Sequence, residues 1–99
     1  MTNNIDINRE KIAVFCRQHR IKRLSLFGSI LSDQFDENSD IDVLVEFEDD
    51  AKVSLFDVGG MMHELTHILG QQVDIRTADD LSRYFRNEVV ANAEMIYAA

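Results

Sequence analysis

The chain contains no proline and no tryptophan, and it has one cysteine among its 99 residues. Without proline, nothing marks a stiff linker or an obligatory helix break, and there is no repeat or low-complexity tract. One domain spanning residues 1–99 is therefore expected, large enough for a two-layer core but too small for separate catalytic and substrate-recognition domains. Cys16 cannot form an internal disulfide, and its place on the apolar side of an expected first helix suits core packing. No apolar run is long enough to cross a membrane, and the polar start Met1-Thr2-Asn3-Asn4 lacks the apolar core of a secretory signal. These features predict a protein of the reducing cytoplasm, without a membrane partner.

Basic residues are also scarce. Ten Lys and Arg face 18 Asp and Glu, for a net charge of −8. Binding to a nucleic-acid backbone depends on clustered cations, so free nucleic acid is not expected as the main substrate. The distribution says more than the sum. Asp33, Asp36, Glu37, Asp40, Asp42, Glu46, Glu48, Asp49 and Asp50 share one segment with no basic residue among them. Arg9, Lys11, Arg17, Arg20, Lys22 and Arg23 gather upstream, where they balance the acidic half. Glu48-Asp49-Asp50 reads as a solvated loop. The acidic segment as a whole would admit a triphosphate only with metal ions, and would attract a basic protein partner.

Periodicity and cap residues give a coarse order of elements. Asn8 or Asp6 can cap a helix running to about residue 19, with Ile12, Phe15 and Cys16 as its apolar stripe. Residues 21–27 read as a strand, 29–34 as a short helix or turn, and 40–47 as a second strand. Residues 54–69 form a longer helix, with Leu55, Val58, Met62, Leu65 and Leu69 on one face and Gly70 ending it. Residues 72–76 make a third strand, parallel to the second because a helical crossover joins them. Helical segments are expected over 78–92.

The chemistry concentrates at Gly28-Ser29, at Asp40-Ile41-Asp42, and at Asp74 inside Val73-Asp74-Ile75. Alternate strand residues share a face, so Asp40 and Asp42 aim two carboxylates one way while Ile41, Val43 and Val45 line the other. Like charges so close repel unless a cation neutralises them. Mg²⁺ is the natural cation, since it takes one or two carboxylates and completes its shell with water and substrate phosphates. Gly28, lacking a Cβ, lets backbone N–H groups approach an anion, and Ser29 adds a hydroxyl. Arg76, two residues after Asp74, reads as a surface partner for an acid.

These motifs resemble the polymerase-beta-like nucleotidyltransferase superfamily, and within it the minimal nucleotidyltransferase (MNT) antitoxins of HEPN/MNT toxin–antitoxin pairs. The resemblance rests on Leu26-Phe27-Gly28-Ser29, Ser39-Asp40-Ile41-Asp42-Val43-Leu44-Val45-Glu46-Phe47 and Val73-Asp74-Ile75, and runs over nearly the whole chain. It implies an α/β (α+β) two-layer nucleotidyltransferase fold, a small mixed sheet flanked by helices. It implies Asp40, Asp42 and Asp74 as catalytic and metal-holding residues, with a pair of Mg²⁺ ions, and Gly28 and Ser29 as the nucleotide-phosphate site for ATP. It further implies an adenylyltransferase that moves AMP to a tyrosine of a HEPN ribonuclease toxin, within a hetero-oligomer. The chain departs from many relatives after Gly-Ser, where a small residue, Arg and Gly are common: here Ile30, Leu31, Ser32 and Asp33 stand. That departure and the small size motivate an alternative, a noncatalytic antitoxin acting by binding. A nucleotidyltransferase acting on small molecules is less favoured, because no second domain builds an acceptor pocket.

One competing motif remains. His63-Glu64-Leu65-Thr66-His67 is a literal H-E-x-x-H, the helical signature of zinc peptidases, and Asn87-Glu88 offers a third ligand downstream. At about 100° per residue both histidines fall nearly opposite the apolar stripe, which predicts two exposed imidazoles and no zinc site. Phe56, near the same outer face, hints at a partner surface or a frayed first turn.

Overall fold

The computed structural model describes residues 7–99. Asn8 opens helix α1 (Arg9–Gln18), its side chain accepting from the Lys11 N–H at 3.1 Å; the other candidate cap, Asp6, lies outside the described residues. Strand β1 (Ile21–Phe27) follows at once through Arg20, whose φ of 59° is left-handed. A 3₁₀ turn (Gly28–Leu31) leaves β1 and the chain returns as β2 (Ile41–Phe47). Asp40 immediately precedes that strand rather than opening it, as the sequence suggested.

Helix α2 (Leu55–Leu69) starts at a reciprocal cap: the Ser54 hydroxyl accepts from the Asp57 N–H, and the Asp57 carboxylate accepts from the Ser54 N–H at 2.9 Å. Gly70 closes it with φ 76°, a conformation that costs a residue without Cβ little. The buried face is Met61, Leu65 and Leu69, with Val58, Met62 and Ile68 partly buried beside it. Leu55 is 90% exposed, so the expected apolar stripe does not reach the first turn, where Leu55 and Phe56 both face outward.

Strand β3 (Val73–Arg76) is followed by a 3₁₀ turn (Ala78–Asp80), helix α3 (Arg86–Asn92) and strand β4 (Glu94–Ala98). The expected helical closure over 78–92 is thus two short pieces, and β4 is an addition the periodicity did not show. The sheet order is β3-β2-β1-β4: β2 and β3 run parallel, as the crossover required, and both other pairs are antiparallel. One face is apolar, with Leu24 and Leu26, Ile41, Val43 and Val45, Val73 and Ile75, and Ile96 all buried. Helices α1 and α2 contribute Ile12, Phe15, Cys16, Met61 and Leu65 to the same core. The other face carries Asp42, Asp74, Leu44 and Ser25, so polar chemistry is segregated from the core by strand alternation alone. The acidic segment is partly neutralised as the charge pattern implied: Arg20 pairs with Asp50, and Lys22 and Arg23 approach Glu46 at 3.9 and 3.5 Å.

Candidate active site

Parallel pairing of β2 with β3 sets Asp42 directly beside Asp74. Antiparallel pairing with β1 sets Phe27 on the other side of Asp42, so Gly28 meets the strand at the same level. There Gly28 has φ 78°, and a Cβ built on it would run into the Asp42 carboxylate, with the Asp42 Cγ only 3.2 Å away. Glycine is required twice over, by conformation and by space. Burial pushes the Asp42 carboxyl above the usual carboxylate range, and the charges of Asp74 and Asp40 push it further. The Arg76 guanidinium opposes them. Arg76 also donates from Nε to Asp74 Oδ2 at 3.1 Å, the surface acid pair anticipated for it.

The structure therefore brings Asp42, Asp74 and Gly28 together at one level of the sheet. Asp40 lies two residues before Asp42 and is exposed, close enough for its charge to act on Asp42. Among the described residues, no three His, Cys, Asp or Glu side chains close on a point as a ready-made metal cage. Mg²⁺ does not require one: a pair of carboxylates, with phosphate oxygens and water completing the octahedron, is its usual arrangement. Adjacent, partly desolvated and mutually repelling oxygens fit a hard cation carrying a phosphate.

Ser29 lies in the 3₁₀ turn at the open end of β1, beyond the carboxylates, and Phe27 at the cap position offers no side-chain acceptor to the turn's N–H groups. Ser32 stitches this turn. Its hydroxyl donates to the Ser29 carbonyl at 2.8 Å and accepts from the Gln34 N–H at 3.2 Å.

The H-E-x-x-H motif is assembled otherwise. His63 and His67 are exposed and meet each other edge to face with ring centroids 5.0 Å apart. Glu64, which a zinc peptidase would use as its base, is held instead at 3.0 Å by Nε2 of His19, the residue that caps the C-terminus of α1. The motif ties α2 to α1.

A second row on the open face was not foreseen. Ser25, Leu44 and Met95 align across β1, β2 and β4 in register, next to the carboxylates. With Ala78, Val90 and Ala93 they line a cavity of about 780 Å³. Strict alternation around Asp42 was the available signal for Ser25 and Leu44; Met95 lay in the strand that periodicity missed.

Residues 10–99 match the model of the family described as polymerase beta, nucleotidyltransferase, and the chain belongs to that family. It is 34% identical over 90 residues, 91% of this chain and 95% of the relative, to Methanocaldococcus jannaschii MJ0435, named as a candidate protein adenylyltransferase. A solved structure described as a candidate minimal nucleotidyltransferase superposes with TM-score 0.70 at 33% identity, over 86% of this chain and 85% of the other. A toxin–antitoxin crystal structure with AMP-PNP gives TM-score 0.73 at 22% identity, covering 94% and 75%. A tri-AMPylated Shewanella oneidensis HEPN toxin in complex with its MNT antitoxin gives 0.64 at 20% identity, covering 92% and 70%. The last two likenesses are of fold.

Proposed function

We propose that this member of the polymerase beta nucleotidyltransferase family is an antitoxin that transfers AMP from ATP to a tyrosine hydroxyl of a partner HEPN-domain ribonuclease. The observation that carries the reading is the Asp42–Asp74 pair with Asp42 packed against Gly28, an arrangement costly to keep without a cation. Support comes from the relative named for protein adenylyltransfer and from structural neighbours in which this fold accompanies AMP-PNP or an AMPylated HEPN toxin.

Asp40 and Asp42 would hold Mg²⁺, which supplies charge neutralisation of the triphosphate and of the developing negative charge. Gly28 and Ser29 receive the β and γ phosphates through backbone N–H groups and the Ser29 hydroxyl. Asp74 orients the acceptor phenol and takes its proton. The phenolic oxygen then bonds to the α-phosphorus, the bond from that phosphorus to the β-phosphate oxygen breaks, and pyrophosphate leaves. No helix among the described residues is long and apolar enough to cross a membrane, which suits a partner met in the cytoplasm.

The test uses ATP labelled at the α-phosphate and a HEPN-domain protein as the candidate partner. The expected outcome is Mg²⁺-dependent label on the partner, with loss of its ribonuclease activity. An Asp40→Asn, Asp42→Asn double variant should bind the partner and leave it unlabelled and active. Full neutralisation by that variant would replace transfer with binding as the mechanism.

A further inference from the structure

The open face of the sheet is ruled into rows by its register. Asp74, Asp42 and Phe27 form one row, and Arg76, Leu44, Ser25 and Met95 form the next. The 3₁₀ turn at Gly28-Ser29 lies on one side of the carboxylate row, and the cavity over Leu44 and Ser25 lies on the other. Ser25 is the buried polar residue of the described chain, at 6% exposure, and it sits in this otherwise apolar floor.

We infer that this cavity is the acceptor subsite, seating the ring of the attacking phenol with its hydroxyl turned toward Asp74. The inference rests on the transferase reading above and assigns that site's second substrate a place. In-line displacement puts the attacking oxygen opposite the leaving group. Pyrophosphate held at Gly28-Ser29 therefore requires the nucleophile to arrive from the Leu44 side. The two rows are about 7 Å apart, two residues of strand rise, which is the reach of a phenol ring with its hydroxyl. Arg23, Glu46, Thr77 and Asp79 also line the cavity; Arg23 lies 3.5 Å from Glu46, so its charge is already offset and Asp79 is left to disfavour a triphosphate, whereas a neutral ring meets Leu44, Val90, Ala93 and Met95.

Met95 is 54% exposed on an edge strand, so its replacement can fill the cavity without disturbing the core. The probes are N-acetyl-tyrosinamide and the Mg²⁺ complex of α,β-methylene-ATP, which cannot be cleaved at the bond in question. With the nucleotide bound, the tyrosinamide should shift the methyl resonances of Leu44, Val90 and Met95 saturably. Met95→Trp should weaken tyrosinamide binding by about tenfold or more while nucleotide affinity stays within about twofold. Leu44→Ala, which removes floor contacts without adding bulk, should weaken the tyrosinamide in the same selective way. If the nucleotide alone shifts these methyls, or if Met95→Trp weakens the nucleotide instead, the cavity holds the nucleoside and the inference is wrong. Absence of any tyrosinamide-induced shift also overturns it. Saturable tyrosinamide binding with no AMP transfer to any acceptor would sink the transferase reading and with it the acceptor role, leaving a cavity that binds a phenol.

Discussion

The Asp42 carboxylate occupies the space that a Cβ on Gly28 would need. The 3₁₀ turn after β1 and an acid in β2 are thereby fitted to each other, and any side chain added at position 28 must displace the carboxylate. Gly28→Ala is expected to lower stability by about 1–3 kcal/mol, through the positive φ and the displaced carboxylate. It should also weaken Mg-ATP binding by more than the fold is weakened. Thermal melts with and without Mg-ATP check this: the ligand-induced rise in Tm should largely vanish. A full rise in the variant would separate Gly28 from the nucleotide site.

The ionised Asp42 carboxylate costs the metal-free protein stability. Its folded carboxyl titrates above the ordinary value of 3.8, so the folded state holds the proton more tightly than the unfolded chain does. Stability is therefore lost as pH rises from about 3.8 through the raised value, and the penalty is fully present at neutral pH. In metal-free buffer, Asp42→Asn should melt higher than wild type at pH 7, and the gap should close below the ordinary carboxylate range. A pH-independent gap would mean that the substitution acts through packing.

The cross-strand placement of the acids was legible because alternation is strict: Ile41, Val43 and Val45 face the core, so Asp42 faces away, and the α2 crossover brings β3 alongside in parallel, where Asp74 pairs with Asp42. Three features were not legible. Glu94–Ala98 is short, and its one buried side chain, Ile96, gives no period to detect. Leu55 and Phe56 look like a helical stripe by type, yet the reciprocal cap at Ser54 fixes the helix start where no core reaches. The partner of Glu64 is 45 residues away at the C-terminal cap of α1, a distance no local pattern spans.

His63 and His67 are expected to be chemically idle. His63→Ala with His67→Ala should leave AMP transfer unchanged and stability within about 0.5 kcal/mol, as for surface positions generally. The purified protein should carry no stoichiometric zinc by elemental analysis. Peptidase activity that disappears in the double variant would reverse this assignment.

Cys16 is fully buried, and desolvation pushes its thiol up to about 12. The thiolate is the reactive form, so a thiol-specific reagent at pH 8 should label the native protein negligibly and the denatured protein to completion. Rapid labelling under native conditions would show that α1 opens away from the sheet.

Arg76 couples the two acids through charge. Its ion pair with Asp74 is half exposed, so its loss should change stability little. Its cation also favours the ionised form of Asp42, which is the form able to hold a metal. Arg76→Met keeps much of the side chain's bulk and removes the charge, leaving burial and two like charges unopposed at Asp42. The acid limb of the pH profile of kcat/KM for AMP transfer should consequently move to higher pH, and Arg76→Lys should restore it. Loss of activity equal at every pH in both variants would instead point to the planar guanidinium and its hydrogen bond to Asp74 as the contribution that matters.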